Sequence, residues 1–253
     1  LFIKKNFIYD LRSKIINLVY KIIFLNSNIT VILQNNNDFK YLAKYSNLNP
    51  KRVKFIKGSG VDLKQFKFSK IPKKKLIILM ASRIIQDKGV FEFLNAAKYL
   101  KENKFKGNLF LVGDYDNDNP SVIKKSLLQI FTKQKIVKHF KHQKKIFKFI
   151  KSASIVVLPS YREGFPKILM EASASGRPII TTNVPGCKDV VIKNKTGILV
   201  PSKNYFQLAK AIEYLSKDRK KMIKFGLNAR KHALKNFDIK LIVSKHMSIY
   251  ENL

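Results

Sequence analysis

Between Leu76 and Val200 short apolar runs alternate with segments of helical period, and no other feature restricts the fold as strongly. Leu76 to Ala81, Leu109 to Val112, Ile136 to Phe140 and Ile155 to Leu158 read as strands, with two more near Ile179 and Ile198. Val90, Leu94, Ala97 and Leu100 recur at helical spacing, and further helices are expected to about Thr132, over 146–151, 204–216 and 218–235. Strands that are apolar throughout belong to a parallel sheet covered on both faces. The expected class is therefore α/β, with helices on both sides of a parallel sheet. Ahead of it, 9–24 reads as a basic amphipathic helix with Leu11, Ile15, Leu18, Val19 and Ile22 on one face. A strand over 30–33, a short helix over 38–44 and a strand over 53–56 follow, ending in Gly58-Ser59-Gly60-Val61-Asp62.

The chemistry concentrates in Pro159-Ser160-Tyr161-Arg162-Glu163-Gly164-Phe165-Pro166-Lys167-Ile168-Leu169-Met170-Glu171. Pro159 ends the strand, Gly164 is expected to free the backbone to turn, and Pro166 suits the first helical position. Glu163 then stands just before a helix N-terminus and Glu171 about a turn and a half further in. Free N–H groups at such a terminus favour an anion, typically a phosphate. Two carboxylates that can bind hydroxyls beside a diphosphate cradle are what a nucleotide sugar needs.

This segment resembles the Glu-x7-Glu motif of the retaining glycosyltransferases of family 4, which have the GT-B fold. The resemblance continues through Gly176-Arg177-Pro178, Val184-Pro185-Gly186 and Thr196-Gly197-Ile198-Leu199-Val200-Pro201. It is nearest to the transferases that extend lipid-linked glycans in capsule, O-antigen and protein-glycosylation pathways. It implies that 1–62 are the C-terminal remnant of an acceptor-side Rossmann-like domain and 63–75 a linker. Residues 76–235 are then the nucleotide-sugar donor domain, and 236–253 a tail that crosses back to the N-terminal domain. Upstream sequence is expected, because the chain begins at Leu1 rather than Met. The family's glycine-rich loop and acceptor-side histidine belong to the upstream domain, so the chain alone is expected to transfer little or nothing.

The resemblance also implies roles. Arg83 and Lys88, in Ala81-Ser82-Arg83-Ile84-Ile85-Gln86-Asp87-Lys88-Gly89, would hold the donor diphosphate at the carboxyl end of the first strand of the run. Glu171 would accept hydrogen bonds from the ribose, and Glu163 would bind the transferred sugar and stabilise charge on it. Glu163 as a capping carboxylate for the helix is the plainer reading, and the two are compatible. Gly164, Phe165 and Pro166 would shape the turn, with backbone N–H groups from Lys167 onward near phosphate. Gly113, followed by Asp114, would lie near the nucleotide. The base would lie near Val137 to His142, with His142 itself structural or exposed. Lys141 stands where the family often has glycine, which leaves the base open, although uridine is usual. The donor is thus expected to be a UDP-sugar and the acceptor a glycan or polyprenyl-diphosphate-linked glycan. No cofactor beyond the nucleotide-sugar co-substrate is expected.

Composition removes other classes. With 45% hydrophobic residues in 253 the chain is not disordered, and its apolar runs stop well short of the roughly 18 residues of a membrane span. The net charge of +35 invites nucleic acid, but the 51 basic residues are spread along the whole chain and no nucleic-acid-binding fingerprint accompanies them. Drift in an AT-rich coding sequence, with attraction to anionic lipid, accounts for it. The helix at 9–24 could lie on such a lipid or pack in the upstream domain. A lipid-linked acceptor would place the protein at the cytoplasmic face of the membrane. Cys187, the single cysteine, forms no intrachain disulfide and fits a reducing compartment. No spacing suits a catalytic metal, and Asp116 and Asp118 read as a solvated turn. The alternative function is a non-catalytic nucleotide-sugar-binding half that pairs with a separate acceptor-domain chain. Epimerases of this fold lack the Glu-Gly-Phe-Pro context, and phosphorylases need a pyridoxal-phosphate lysine in a larger chain.

Overall fold

The structure, a computed structural model, describes residues 7–252; residues 1–6 and 253, at the outer ends of the first and last expected domains, lie outside the described residues. The chain divides into two compact units, one of Gly58–Val243 and one that joins the residues before Gly58 to those after Val243.

The smaller unit contains α1 (Phe7–Leu25), β1 (Val31–Leu33), α2 (Asn36–Tyr45) and β2 (Val53–Phe55). β1 and β2 pair in parallel, Val31 opposite Val53. Asn35 starts α2 by accepting the amide of Asp38 at 2.9 Å, the usual side-chain cap for an orphan helix N–H. Leu11, Ile15, Leu18, Val19 and Ile22 of α1 are all exposed. Among the described residues no helix is long and apolar enough to cross a membrane.

The larger unit alternates strand and helix: β3 (Ile77–Ala81), α3 (Val90–Glu102), β4 (Asn108–Val112), α4 (Lys125–Lys133), β5 (Lys138–Phe140) and α5 (Ile146–Ser152). It continues with β6 (Ile155–Leu158), α6 (Lys167–Ala174), β7 (Ile179–Thr182), α7 (Cys187–Val190), β8 (Gly197–Val200), α8 (Tyr205–Lys217) and α9 (Arg219–Asn236). The last helix, α10, spans Ile239–Tyr250, where a tail was expected without assigned structure. The six strands are all parallel in the order β5-β4-β3-β6-β7-β8. Every residue of β3, β6 and β7 is buried, which is why β3 and β6 read as unbroken apolar runs; in β7 the buried Thr181 and Thr182 hydroxyls donate to the Leu158 and Ser160 carbonyls.

Chain order reverses at β3: its successor β4 lies on one side and β6 on the other. In an open parallel sheet such a switch point leaves a crevice beyond the carboxyl ends of the two strands, because their connections leave in opposite directions. Arg83 follows β3 and Glu163 follows β6, so both belong to loops at that crevice.

One strand differs from expectation. The strand expected from Ile136 begins only at Lys138, because α4 closes there: the Ile136 and Val137 amides both donate to the Phe131 carbonyl, and Lys135 has φ 53°. The Lys-rich segment 63–75 lies within the larger unit and is bound along it by three arginines. Arg177, wholly buried, donates to the Ser69 carbonyl and hydroxyl and to the Ile150 and Lys151 carbonyls. Arg219 donates to the Ile71 and Pro72 carbonyls, and Arg230 to those of Phe66 and Ala174. Burial draws the Arg177 pKa down to about 10.

Candidate active site

Beyond the carboxyl ends of β3 and β4 lies a cleft of about 540 Å³. Arg83, Gly113, Lys167 and Glu171 line it, as do His142, Gln143 and Tyr115. The loops that form it are bonded to one another. The Ser82 amide donates to the Val112 carbonyl at 3.0 Å and the Ile84 amide to the Asp114 carbonyl at 2.9 Å. The Asp114 carboxylate accepts the His142 amide at 3.0 Å, which joins the loops after β4 and β5.

Arg83 donates from Nη1 to Asp116 Oδ2 at 2.5 Å. The Asp116 turn, expected to be merely solvated, therefore supplies the partner of the cation at the cleft mouth. Among the described residues no three His, Cys, Asp or Glu side chains cluster as metal ligands.

α6 begins at Lys167, with Pro166 as the residue before it rather than the first helical position (φ −70°, ψ 117°). The Leu169 amide reaches the Pro166 carbonyl, so the amides of Lys167 and Ile168 stand ahead of the first intrahelical bond, and both residues line the cleft. Glu171 follows on the same helix, 7% exposed. Burial pushes its carboxyl up to about 7, against a smaller opposing pull from Lys167 one turn earlier.

Lys88 and Glu163 form the second centre. Lys88 Nζ donates to both carboxylate oxygens of Glu163, at 2.7 and 2.8 Å, and the Ser160 hydroxyl donates to Oε1 at 2.7 Å. The close approach needs glycine at two places. Gly89 (φ 75°) packs so tightly on the end of β6 that a Cβ there would sit 2.1 Å from the Pro159 carbonyl oxygen. Gly186 (φ 80°) lies against the Glu163 loop, where a Cβ would meet the Glu163 carbonyl oxygen at 2.2 Å. Gly164, expected to free the turn, has no left-handed backbone; that freedom is used at Gly186.

Not all expected residues converge. Phe165 packs in the core against Phe237, with ring centroids 5.7 Å apart, so it anchors the turn from beneath. Val137 is 2% exposed at the closing turn of α4, and residues beyond the other end of β5, His142 and Gln143, line the cleft instead. Cys187 is wholly buried at the start of α7, and burial pushes its thiol up to about 11, which keeps it protonated. Ser160 and Gly186 were given no role from sequence, and Asp116 was read only as part of a solvated turn. Gly186 alone had a signal, as a glycine after Val184-Pro185.

A family model described as Glycosyl transferases group 1 matches residues 61–232. Over 265 aligned residues the chain is 29% identical to the N,N'-diacetylbacillosaminyl-diphospho-undecaprenol alpha-1,3-N-acetylgalactosaminyltransferase of Campylobacter jejuni, covering 100% of this chain and 68% of that one. It is 28% identical to the capsular polysaccharide biosynthesis glycosyltransferase CapM of Staphylococcus aureus, over 78% of this chain and 53% of that one. The crystal structure of Anabaena Alr3699/HepE in complex with UDP and glucose superimposes with a TM-score of 0.83, at 20% identity, over 95% of this chain and 68% of that one. The chain thus spans between about half and two thirds of these proteins. The structural likeness is one of fold, and that fold is GT-B.

Proposed function

The chain belongs to the group 1 glycosyl transferases, and from that premise we propose that its larger unit is the donor site of a retaining, family 4-type enzyme. The reaction would move a hexose or N-acetylhexosamine from a nucleoside diphosphate sugar, a UDP-sugar by preference, to a glycan or lipid-linked acceptor. One observation carries this reading: a guanidinium, a helix start and a buried carboxylate line one cleft at the switch point of the sheet. Arg83 and the leading amides of α6 suit the charge that gathers on the departing diphosphate. Glu171 suits the ribose hydroxyls. Glu163, already charge-paired with Lys88, suits the transferred sugar and the positive charge that develops on it. Retention would follow from attack on the face that the diphosphate leaves, with a departing phosphate oxygen taking the acceptor's proton. The protein then contributes positioning and charge stabilisation. The Campylobacter relative acts on a diphospho-undecaprenol acceptor and the Staphylococcus relative in capsular polysaccharide synthesis, which supports an acceptor of either kind and work at a membrane surface.

Calorimetry with UDP, UDP-GlcNAc and GDP at pH 8 and high salt tests the donor site. Arg83→Ala and Glu171→Ala should each cost roughly 1.5–3 kcal/mol of UDP binding, about 10- to 100-fold in affinity. Binding that is salt-sensitive, indifferent to both residues and blind to the base would reject it.

A further inference from the structure

Glu92 belongs to the first turn of α3, yet it is only 6% exposed. Its Oε1 accepts the Tyr161 hydroxyl at 2.7 Å, while Oε2 is buried without a hydrogen bond. An acid that served only the helix dipole could do so from the solvated face, without the cost of burying a carboxylate. The burial therefore asks for a purpose specific to Tyr161. That residue is tied to the same stretch twice more: its amide donates to the Asp87 carbonyl at 2.9 Å, and Gln86 hydrogen-bonds to its side chain. Lys203 Nζ stands 5.0 Å from its ring centroid, a cation over the aromatic face. Burial and the adjacent Glu92 raise the phenol above its ordinary pKa, so it keeps the proton it donates.

These bonds join 159–163 to 86–92, and Lys88 and Glu163 lie within the two joined segments. We propose that Tyr161 and Glu92 are positioning residues: their bond seats the turn after β6 on α3, so that the Glu163 carboxylate meets Lys88 and faces the donor's sugar. This rests on the donor-site reading above. Glu92 acts here as a fixed acceptor, and its negative charge is dispensable.

The test compares Kd for UDP with Kd for the UDP-sugar that binds the wild-type chain best among UDP-glucose, UDP-galactose, UDP-GlcNAc and UDP-GalNAc. Tyr161→Phe removes one hydroxyl. It should leave UDP within about twofold of wild type and weaken the UDP-sugar about tenfold, the scale of one hydrogen bond to a charged group. Glu92→Leu should behave alike, whereas Glu92→Gln, which keeps an acceptor oxygen, should restore the wild-type ratio. Equal losses for UDP and UDP-sugar, or an unchanged ratio in Tyr161→Phe, would overturn the proposal. So would a Glu92→Gln variant as impaired as Glu92→Leu, since the charge would then be the essential property. A crystal structure of Tyr161→Phe decides the matter without any nucleotide: a Lys88–Glu163 pair still at hydrogen-bond distance overturns the positioning role, and an opened pair supports it. Failure of wild type to bind UDP would instead count against the donor site, and that crystal structure would still judge Tyr161.

Discussion

Lys88 Nζ bonds both carboxylate oxygens of Glu163, at 2.7 and 2.8 Å, across 75 positions of sequence. Their side chains are 21% and 11% exposed, so the pair is partly desolvated and each charge depends on the other. Lys88→Met should destabilise the fold by about 2 kcal/mol, because the Glu163 carboxylate then loses its charge partner and leans on the Ser160 hydroxyl. The double variant Lys88→Met/Glu163→Gln should recover at least half of that loss. Urea unfolding of both variants measures it, and simple additivity would mean that the pair contributes no coupling.

Arg83 has the opposite setting. It is 59% exposed where Asp116 holds it, so that pair adds at most about 1 kcal/mol. A diphosphate entering the cleft must share or displace Asp116. Asp116→Asn should tighten UDP binding about two- to fivefold at low salt, less at high salt, and leave uridine unchanged. Weaker UDP binding in this variant would show that Asp116 orients Arg83 for the ligand instead of competing with it.

Much of this was legible in sequence because parallel strands buried on both faces are written as apolar runs. β3, β4 and β6 fall within a residue or so of their expected limits, and β7 and β8 contain the Ile179 and Ile198 near which strands were expected. Arg83, Gly113, Lys167 and Glu171 could be assigned to one cleft because loops at the carboxyl ends of such strands converge. What stayed hidden were choices of partner. Asp116 pairs with a residue 33 positions away and Tyr161 with one 69 positions away, and no local spacing records either. β5 was overestimated because Ile136 and Val137 are as apolar as a strand, although the closing turn of α4 uses their amides. α7, four residues long, has no period to detect.

The misreading of Gly164 gives a sharp comparison. Gly164 is exposed and has no left-handed backbone, whereas Gly186 has φ 80° with the Glu163 carbonyl oxygen where its Cβ would stand. Gly186→Ala should lower stability by roughly 2–4 kcal/mol, combining backbone strain with the clash. Gly164→Ala should stay within about 1 kcal/mol of wild type. Thermal unfolding of the two variants side by side checks the order, and the reverse order would contradict the loop geometry.

Arg177 is a buried cation whose hydrogen bonds run to carbonyls and a hydroxyl. A lysine cannot present a planar fork to acceptors from Ser69, Ile150 and Lys151 together. Arg177→Lys should therefore cost about 3 kcal/mol despite keeping the charge. It should also raise amide hydrogen exchange in the segment around Ser69. Unchanged exchange there would mean that Arg219 and Arg230 hold the segment without it.

In the proposed donor site, Glu171 ties stability and ligand binding to pH with opposite signs. Its carboxyl titrates at about 7 in the fold, against an ordinary 4.5, because burial disfavours the charge. Between those values the folded chain holds a proton that the unfolded chain has lost, so this group's contribution falls as pH rises from about 4.5 to about 7 and is level above. Glu171→Gln removes the penalty: it should match wild type near pH 4 and exceed it by roughly 2–4 kcal/mol near pH 8, at 1.36 kcal/mol per pH unit. Binding runs the other way, since ribose hydroxyls donate best to the ionised carboxylate. Uridine carries no phosphate to titrate, so its affinity isolates Glu171 and should rise about tenfold from pH 6 to pH 8 in wild type. In Glu171→Gln it should be flat and weak. A wild-type profile as flat as the variant's would remove Glu171 from the ribose site, even if its effect on stability followed the expected curve.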